Sequence, residues 1–193
     1  MKGKVWTVAN LLTFARILLI APFLYLIRRG SFSWALVVFV VGAITDFLDG
    51  FFARRLGQQS ELGRLLDPAA DKLLTTAAFV VLALPHEGFP SIPVWLAISV
   101  VLRDVVILAG SLIVYLLTGF TKFKPTLLGK INTALELLLI AVFLTLNSFE
   151  LTTFILPAFY IVVLSSVLLS GSGYVVEGIR IVRGHRSSAQ QVT

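Results

Sequence analysis

Six long apolar segments, separated by short polar connectors, constrain this chain more than any other feature of its sequence. Each segment approaches the roughly 20 residues that a helix needs to cross a hydrocarbon core at about 1.5 Å per residue. Helices are the expected form, because backbone polar groups inside a bilayer must be satisfied within the segment. The sequence therefore predicts an all-α integral membrane protein with six transmembrane helices. The segments run near 8–27, 33–53, 67–84, 92–118, 127–147 and 152–178.

The composition agrees with a membrane protein. Hydrophobic residues make up 58% of the 193 residues and charged residues only 13%, whereas a soluble domain carries about 25% charged residues. The net charge of +6 comes from basic residues that lie between the apolar segments, without an aromatic and basic platform. We therefore expect contact with membrane lipids and no nucleic-acid partner. The chain has no cysteine, which excludes disulfides and thiolate metal ligands.

The distribution of basic residues predicts the orientation. If both termini face the cytoplasm, only Arg28 and Arg29 lie on the opposite side, which fits the positive-inside tendency. The first segment does not resemble a cleavable signal, since Arg16 interrupts it, and a bacterial plasma membrane is expected. Residues 1–186 are predicted to form one membrane domain and 187–193 a disordered polar tail. The cytoplasmic side would carry Lys2, Lys4, Arg54, Arg55, Arg64, Lys122, Lys124, Lys130, Arg180, Arg183 and Arg186.

Four aspartates lie near the predicted cytoplasmic boundary. Ionisable residues in membrane segments are costly to bury, so their presence indicates a function. Asp46 and Asp49 are three residues apart at the end of the second segment, and Asp67 and Asp71 are four apart at the start of the third. Each spacing places its pair on one helix face. A connector of ten to twelve residues would make the two helices antiparallel neighbours. Carboxylates that converge in this way need cations, and all-oxygen ligands suit Mg²⁺, Mn²⁺ or Ca²⁺.

Two structural alternatives stand beside a metal site. Asp67 could cap the third helix with Pro68 at its first position, and Asp49 could pair with Arg54. Neither role accounts for Asp46 and Asp71. Gly50, Ala53 and Gly63 lie between the acids, where small residues serve either close helix packing or a groove for a nucleotide. Their spacing together with the acids favours the groove.

This stretch resembles the signature of the CDP-alcohol phosphotransferases. The run D-x2-D-G-x2-A-R-x8-G-x3-D-x3-D begins at Asp46 and ends at Asp71, with eight defined positions across 26 residues. The six-segment layout extends the resemblance over nearly the whole chain. The first segment also looks like the first helix of the family, with Asn10, Thr13, Arg16 and Pro22 in familiar places.

The resemblance implies an enzyme that transfers a phosphatidyl group from CDP-diacylglycerol to an alcohol and releases CMP. It implies that Asp46, Asp49, Asp67 and Asp71 hold two divalent ions, Mg²⁺ or Mn²⁺, on the CDP pyrophosphate. Asp71 would also be the catalytic base for the incoming hydroxyl, and a homodimer is expected. The remaining nucleotide contacts would be Gly50, Ala53 and Gly63 at the cytidine and Arg54 near the phosphates.

The acceptor alcohol is less constrained, with Arg16, Arg103, Lys130 and Asn132 as candidate contacts. Phosphatidylglycerophosphate synthases in this family carry Arg-Glu and a further Arg on the fourth helix, then Gly-Lys-x-Lys-Thr on the fifth. Here Asp104, Ser111 and Asn132 stand at three of those positions. Two cations that would bind the free phosphate of glycerol 3-phosphate are therefore missing.

The segments R-D-V, from Arg103, and K-P-T-x3-K-x-N-T-A, from Lys124, look like the cardiolipin synthases that use CDP-diacylglycerol. We therefore favour phosphatidylglycerol as the acceptor, with glycerol 3-phosphate as the alternative. A buried pair of Arg103 with Asp104 is the structural alternative for this arginine. From other classes, a divalent-cation transporter would usually show repeats or broken helices, which the sequence lacks, and intact Asp71 speaks against a noncatalytic lipid-binding scaffold.

Overall fold

The chain forms six α-helices in a computed structural model that describes residues 8–56, 61–85, 89–118, 126–151 and 154–190. Side chains are described within 18–45, 72–85, 89–117, 126–151 and 154–183. The expected all-α architecture is confirmed for this part of the chain. The helices are α1 (Val8–Arg28), α2 (Phe32–Leu56), α3 (Glu61–Ala83), α4 (Val94–Thr118), α5 (Leu127–Ser148) and α6 (Ile155–Gln190).

Three helices extend beyond the apolar segments that predicted them. α2 continues to Leu56 and α3 already begins at Glu61, so the link between them is shorter than the expected ten to twelve residues. The added residues are mainly Arg, Leu and Glu, which favour helices in water as well as in lipid. α6 likewise continues to Gln190, past the end of its apolar segment. Hydropathy marks only the part of a helix that lies in the bilayer.

The helices pack into one bundle in which α3 and α5 connect the two halves. α1 packs against α2 and α3, and α4 packs against α6 and α3. α5 packs against both α6 and α2. The core between them contains fully buried aromatic side chains, among them Phe23, Phe39, Phe79 and Phe143. α3 is thus held between α1 and α4, which decides where its polar residues lie.

Three helices are long and apolar enough to cross a membrane within the part of the chain whose side chains are described. They cover Val94–Leu117, Leu127–Ser148 and Ile155–Arg183, with 24, 22 and 29 residues. Large apolar side chains on their outer surfaces are exposed, such as Leu116 and Ile161 at 72% and 62%. An apolar surface of this extent needs lipid as its solvent. The fold is therefore that of an integral membrane protein.

Candidate active site

The side chain of Leu74 on α3 packs against Gly42 on α2. A β-carbon added to this buried glycine would lie 2.4 Å from Leu74 Cδ2, which is closer than real β-carbon contacts. Only glycine lets the two helices meet here without displacing Leu74. Asp46 follows Gly42 by four residues on α2, and Asp71 precedes Leu74 by three residues on α3. The close approach therefore lies one helical turn from an aspartate on each helix.

The predicted metal and nucleotide residues are all on helices. Asp46, Asp49, Gly50, Ala53 and Arg54 belong to α2. On α3, Asp67 is an interior residue, because the helix begins six residues earlier at Glu61. The capping role considered for Asp67 is therefore wrong. The remaining predicted residues lie on α3, which carries Gly63 and Asp71, and on α1, which carries Arg16.

The side chains of these nine residues lie outside the part of the chain whose side chains are described. Within the described residues, no group of three or more His, Asp or Glu side chains is arranged to hold a metal ion. The predicted ligands Asp46, Asp49, Asp67 and Asp71, the nucleotide contacts and Arg16 accordingly remain predictions.

A buried ion cluster connects α3, α4 and α6. Arg103 Nη1 donates to Asp104 Oδ1 at 2.8 Å, and Arg103 Nη2 donates to Ser170 Oγ at 2.6 Å. Lys72 Nζ of α3 donates to the same Asp104 oxygen. Arg103 also lies over the ring of Tyr174, with 5.9 Å from the guanidinium carbon to the ring centroid. Two cations from two helices therefore share one carboxylate oxygen.

A second buried polar group lies on α5 and α6. Asn132 Nδ2 donates to Glu136 Oε1 at 2.6 Å, and Ser166 Oγ donates to Asn132 Oδ1 at 2.8 Å. Glu136 is only 1% exposed and Asn132 is fully buried. Ser166 and Ser170 lie one turn apart on α6, so this group adjoins the cluster around Arg103. The two polar groups thus form one polar unit inside the bundle.

The unit contains two basic residues, Lys72 and Arg103, and two acidic residues, Asp104 and Glu136. Burying a single unpaired charge in a membrane protein costs several kcal/mol, and pairing offsets much of that cost. One donor is left over, because Arg103 Nε is buried and has no hydrogen-bond partner among the described residues. The unit is therefore a buried polar cluster with one unused N–H group.

The start of α5 is built against the same unit. Thr126 caps the helix, and its Oγ1 accepts a hydrogen bond from Gly129 N at 3.0 Å. A β-carbon added to Gly129 would lie 3.0 Å from Tyr174 Oη, so Tyr174 reaches from Arg103 to the first turn of α5. The structure brings Arg103 and Asn132 into one buried unit. Lys130, in contrast, is exposed on α5 and has no ion pair among the described side chains.

Sequence reasoning missed several members of this unit. The sequence patterns assign no role to Lys72 or to Glu136. A lone carboxylate inside the apolar sequence of α5 is a signal in itself, because such residues are rare in spans and usually have partners. Ser166, Ser170 and Tyr174 carried no sequence signal, because polar hydroxyls in spans commonly bond to their own helix backbone.

Comparison with known proteins gives a consistent result over most of the chain. The family model described as CDP-alcohol phosphatidyltransferase matches residues 6–170. The Rattus norvegicus protein named cardiolipin synthase (CMP-forming) is 37% identical over 152 residues, covering 70% of this chain and 49% of the relative. A Streptomyces coelicolor protein of the same name is 39% identical over 111 residues, covering 54% of this chain and 50% of the relative.

A relative with a different name matches more of its own length. The Bacillus subtilis protein named CDP-diacylglycerol–glycerol-3-phosphate 3-phosphatidyltransferase is 32% identical over 162 residues, covering 75% of this chain and 80% of the relative. This chain thus spans about half the length of the cardiolipin synthases that it matches. The names of these relatives imply different acceptors, and the matches do not decide between them.

Proposed function

The chain belongs to the CDP-alcohol phosphatidyltransferase family, and from this membership we propose that it transfers a phosphatidyl group from CDP-diacylglycerol to phosphatidylglycerol. The products would be cardiolipin and CMP. The observation that carries the proposal is the close approach of α2 and α3 at Gly42 and Leu74, beside the acidic signature. The relatives named cardiolipin synthase (CMP-forming) support the choice of acceptor.

The register of α2 against α3 supports convergence of the four aspartates. In an antiparallel pair, a step of one turn from Gly42 along α2 is matched by a step of one turn back from Leu74 along α3. These steps reach Asp46 and Asp71, and the next turn reaches Asp49 and Asp67. Four carboxylates at these positions fit two divalent ions, because hard cations prefer oxygen ligands. Gly50, Ala53 and Gly63 would leave backbone free for the cytidine, and Arg54 would contact the phosphates.

The proposed reaction is a direct displacement at the phosphorus that bears diacylglycerol. The hydroxyl oxygen of the acceptor forms a new bond to this phosphorus. The bond from that phosphorus to the bridging oxygen breaks, and CMP leaves with the electron pair. Asp71 accepts the hydroxyl proton as general base. Bound Mg²⁺ or Mn²⁺ would neutralise negative charge on the pyrophosphate and on the departing CMP.

The charge balance of the buried unit supports phosphatidylglycerol over glycerol 3-phosphate. Arg103 is already paired with Asp104 and Ser170, and Asn132 is neutral and bonded to Glu136. The unused Arg103 Nε suits one oxygen of a phosphodiester, whereas a dianionic phosphate needs more unpaired positive charge. Arg16 and Lys130 are further proposed contacts. Glycerol 3-phosphate stays as a second candidate because the Bacillus subtilis relative is matched over 80% of its length.

The proposal includes six membrane spans with both termini in the cytoplasm of a bacterial cell and the active site facing that side. The exposed apolar surfaces of α4, α5 and α6 and the distribution of basic residues support this arrangement. A homodimer and a single domain over residues 1–186 are proposed from the family resemblance.

An assay with separate acceptors tests this function. The purified protein receives CDP-diacylglycerol and Mg²⁺ or Mn²⁺, with either phosphatidylglycerol or glycerol 3-phosphate, and the lipid formed is identified by mass spectrometry. We expect cardiolipin and CMP from phosphatidylglycerol. Phosphatidylglycerophosphate as the sole product would show that glycerol 3-phosphate, and not phosphatidylglycerol, is the acceptor. Absence of CMP with both acceptors would overturn the proposed function.

A further inference from the structure

The ion pair of Lys72 with Asp104 joins the helix that carries Asp67 and Asp71 to the helix that carries Arg103. The Lys72 side chain is 24% exposed and that of Asp104 is 8% exposed, so the pair is largely enclosed by the bundle. Lys72 directly follows Asp71 in the sequence. Asp104 Oδ1 also accepts from Arg103. Asp104 therefore contacts both Lys72, which is adjacent to the proposed metal ligand Asp71, and Arg103, which is proposed to bind the acceptor.

We propose that Lys72 and Asp104 are positioning residues, whose ion pair fixes the rotation of α3 and thereby the placement of Asp67 and Asp71 for metal binding. This inference rests on the proposed function, because it concerns the geometry of the proposed metal site. It assigns a role to two residues outside the proposed metal and nucleotide contacts.

The geometry of α3 supports this role. Lys72 and Leu74 are separated by about 160° around the helix, so they face nearly opposite sides. Lys72 is bonded to α4, and Leu74 packs at Gly42 of α2. Asp71 occupies a register position between them, about 100° from Lys72 and about 60° from Leu74. The helix is thus fastened on both flanks of the position where a metal ligand must be held.

The ion pair is poorly explained as a source of stability. Replacing a buried ion pair by apolar residues is often neutral or stabilising, whereas removing one partner is costly. Positioning of a ligand is a different role, and residues that orient metal ligands typically change metal affinity by about 10–100-fold when they are replaced. The two roles predict different results once the charge balance is restored.

The charge balance of the unit provides the compensated variant. Lys72→Met alone removes a cation and leaves Asp104 without it. Lys72→Met with Asp104→Asn removes one charge of each sign, so the net charge of the unit is kept while the ion pair from α3 to α4 is lost. Lys72→Arg keeps a cation in the link. Arg180→Met is the matched control, because it removes a cation from the exposed pair with Glu177, where the arginine side chain is 75% exposed.

The test compares these variants by thermal unfolding, by Mn²⁺ binding in the presence of CDP, and by the Mn²⁺ dependence of CMP release. We expect Lys72→Met to weaken Mn²⁺ binding by about tenfold or more and to lower the unfolding temperature. The compensated double variant should recover the unfolding temperature but not Mn²⁺ binding. Lys72→Arg should recover part of the Mn²⁺ binding, and Arg180→Met should match wild type throughout.

Two results would overturn the inference, and they are distinguishable. The first is that the double variant recovers both stability and Mn²⁺ binding. The second is that Lys72→Met binds Mn²⁺ as wild type does. Each would show that the pair is purely structural. Either result leaves the proposed function standing, because wild type still binds Mn²⁺ and releases CMP. A wild-type protein that does neither would overturn the proposed function, and the positioning role with it.

Discussion

Gly42 of α2 lies against Leu74 of α3 so closely that an added β-carbon would be 2.4 Å from Leu74 Cδ2. This contact joins the two helices that carry the acidic signature. Asp46 and Asp71 each lie one turn from it along their helices. We therefore expect a larger side chain at position 42 to disturb the register of the two pairs of aspartates.

Gly42→Leu should separate α2 from α3. The leucine adds four carbons where one already collides with Leu74, and overpacking of this kind typically costs about 1–3 kcal/mol. We expect a lower unfolding temperature and a larger loss of CMP release. Gly110→Leu is the control, since a β-carbon there meets nothing within 4 Å. Wild-type CMP release by the Gly42 variant would show that the close approach does not matter for the site.

Asp67→Asn and Asp71→Asn should each abolish CMP release from CDP-diacylglycerol while the protein stays folded and inserted in the membrane. Each change removes a negative charge with little change in shape, so metal binding is lost without a packing defect. CMP release and thermal unfolding are measured together. Glu150→Gln serves as the control, because Glu150 is an exposed carboxylate after α5. Turnover near that of wild type in either aspartate variant contradicts the assignment.

Asn132→Leu should destabilise the bundle. It removes the donor to Glu136 and the acceptor of Ser166 without a large change in volume. A buried carboxylate that loses its partner typically costs about 1–3 kcal/mol or more. Unfolding by SDS titration measures the change. Asn147→Leu should cost less, because the Asn147 amide bonds, among the described residues, to the Phe143 carbonyl of its own helix. Equal costs would argue against the buried network.

Arg103→Lys should weaken binding of the acceptor lipid. Lysine keeps the charge but cannot hold Asp104 and Ser170 in the fixed planar arrangement and still offer an Nε–H group. We expect the KM for phosphatidylglycerol to rise about tenfold, which corresponds to about 1.4 kcal/mol, with a smaller change in the KM for CDP-diacylglycerol. Steady-state kinetics with each substrate varied in turn decide this. An equal rise for both substrates would indicate a general packing defect at Arg103.

Much of the fold follows from the sequence, because apolar segments in a bilayer must satisfy their backbone hydrogen bonds internally and therefore form helices. The link between α2 and α3 and the end of α6 did not follow, since hydropathy stops at the membrane boundary and helices do not. The adjacency of Arg103 and Asp104 in the sequence of α4 already predicts that they can form a buried pair. Lys72 was not joined to them, because its partner lies 32 residues away on another helix and only packing brings them together.

In the acidic signature, too, the positions along each helix can be predicted from the sequence, whereas the packing between helices cannot. Spacing alone places Asp46 with Asp49 on one helix face, and Asp67 with Asp71 on another. The relation between the two faces depends on the crossing point at Gly42, which carries no recognisable motif. Glu136 is the one carboxylate in the sequence of α5, and a single carboxylate in an apolar span is a signal of buried polar partners.

Direct counting of Mn²⁺ is the sharpest test of a metal site built from α2 and α3. Free Mn²⁺ is measured by electron paramagnetic resonance as the purified protein is titrated in the presence of CDP, for wild type and for Asp46→Asn and Asp71→Asn. We expect two bound Mn²⁺ ions per chain in wild type and weaker or partial binding in both variants. Wild type that binds no Mn²⁺, or variants that bind it as wild type does, would contradict a shared site between the two helices.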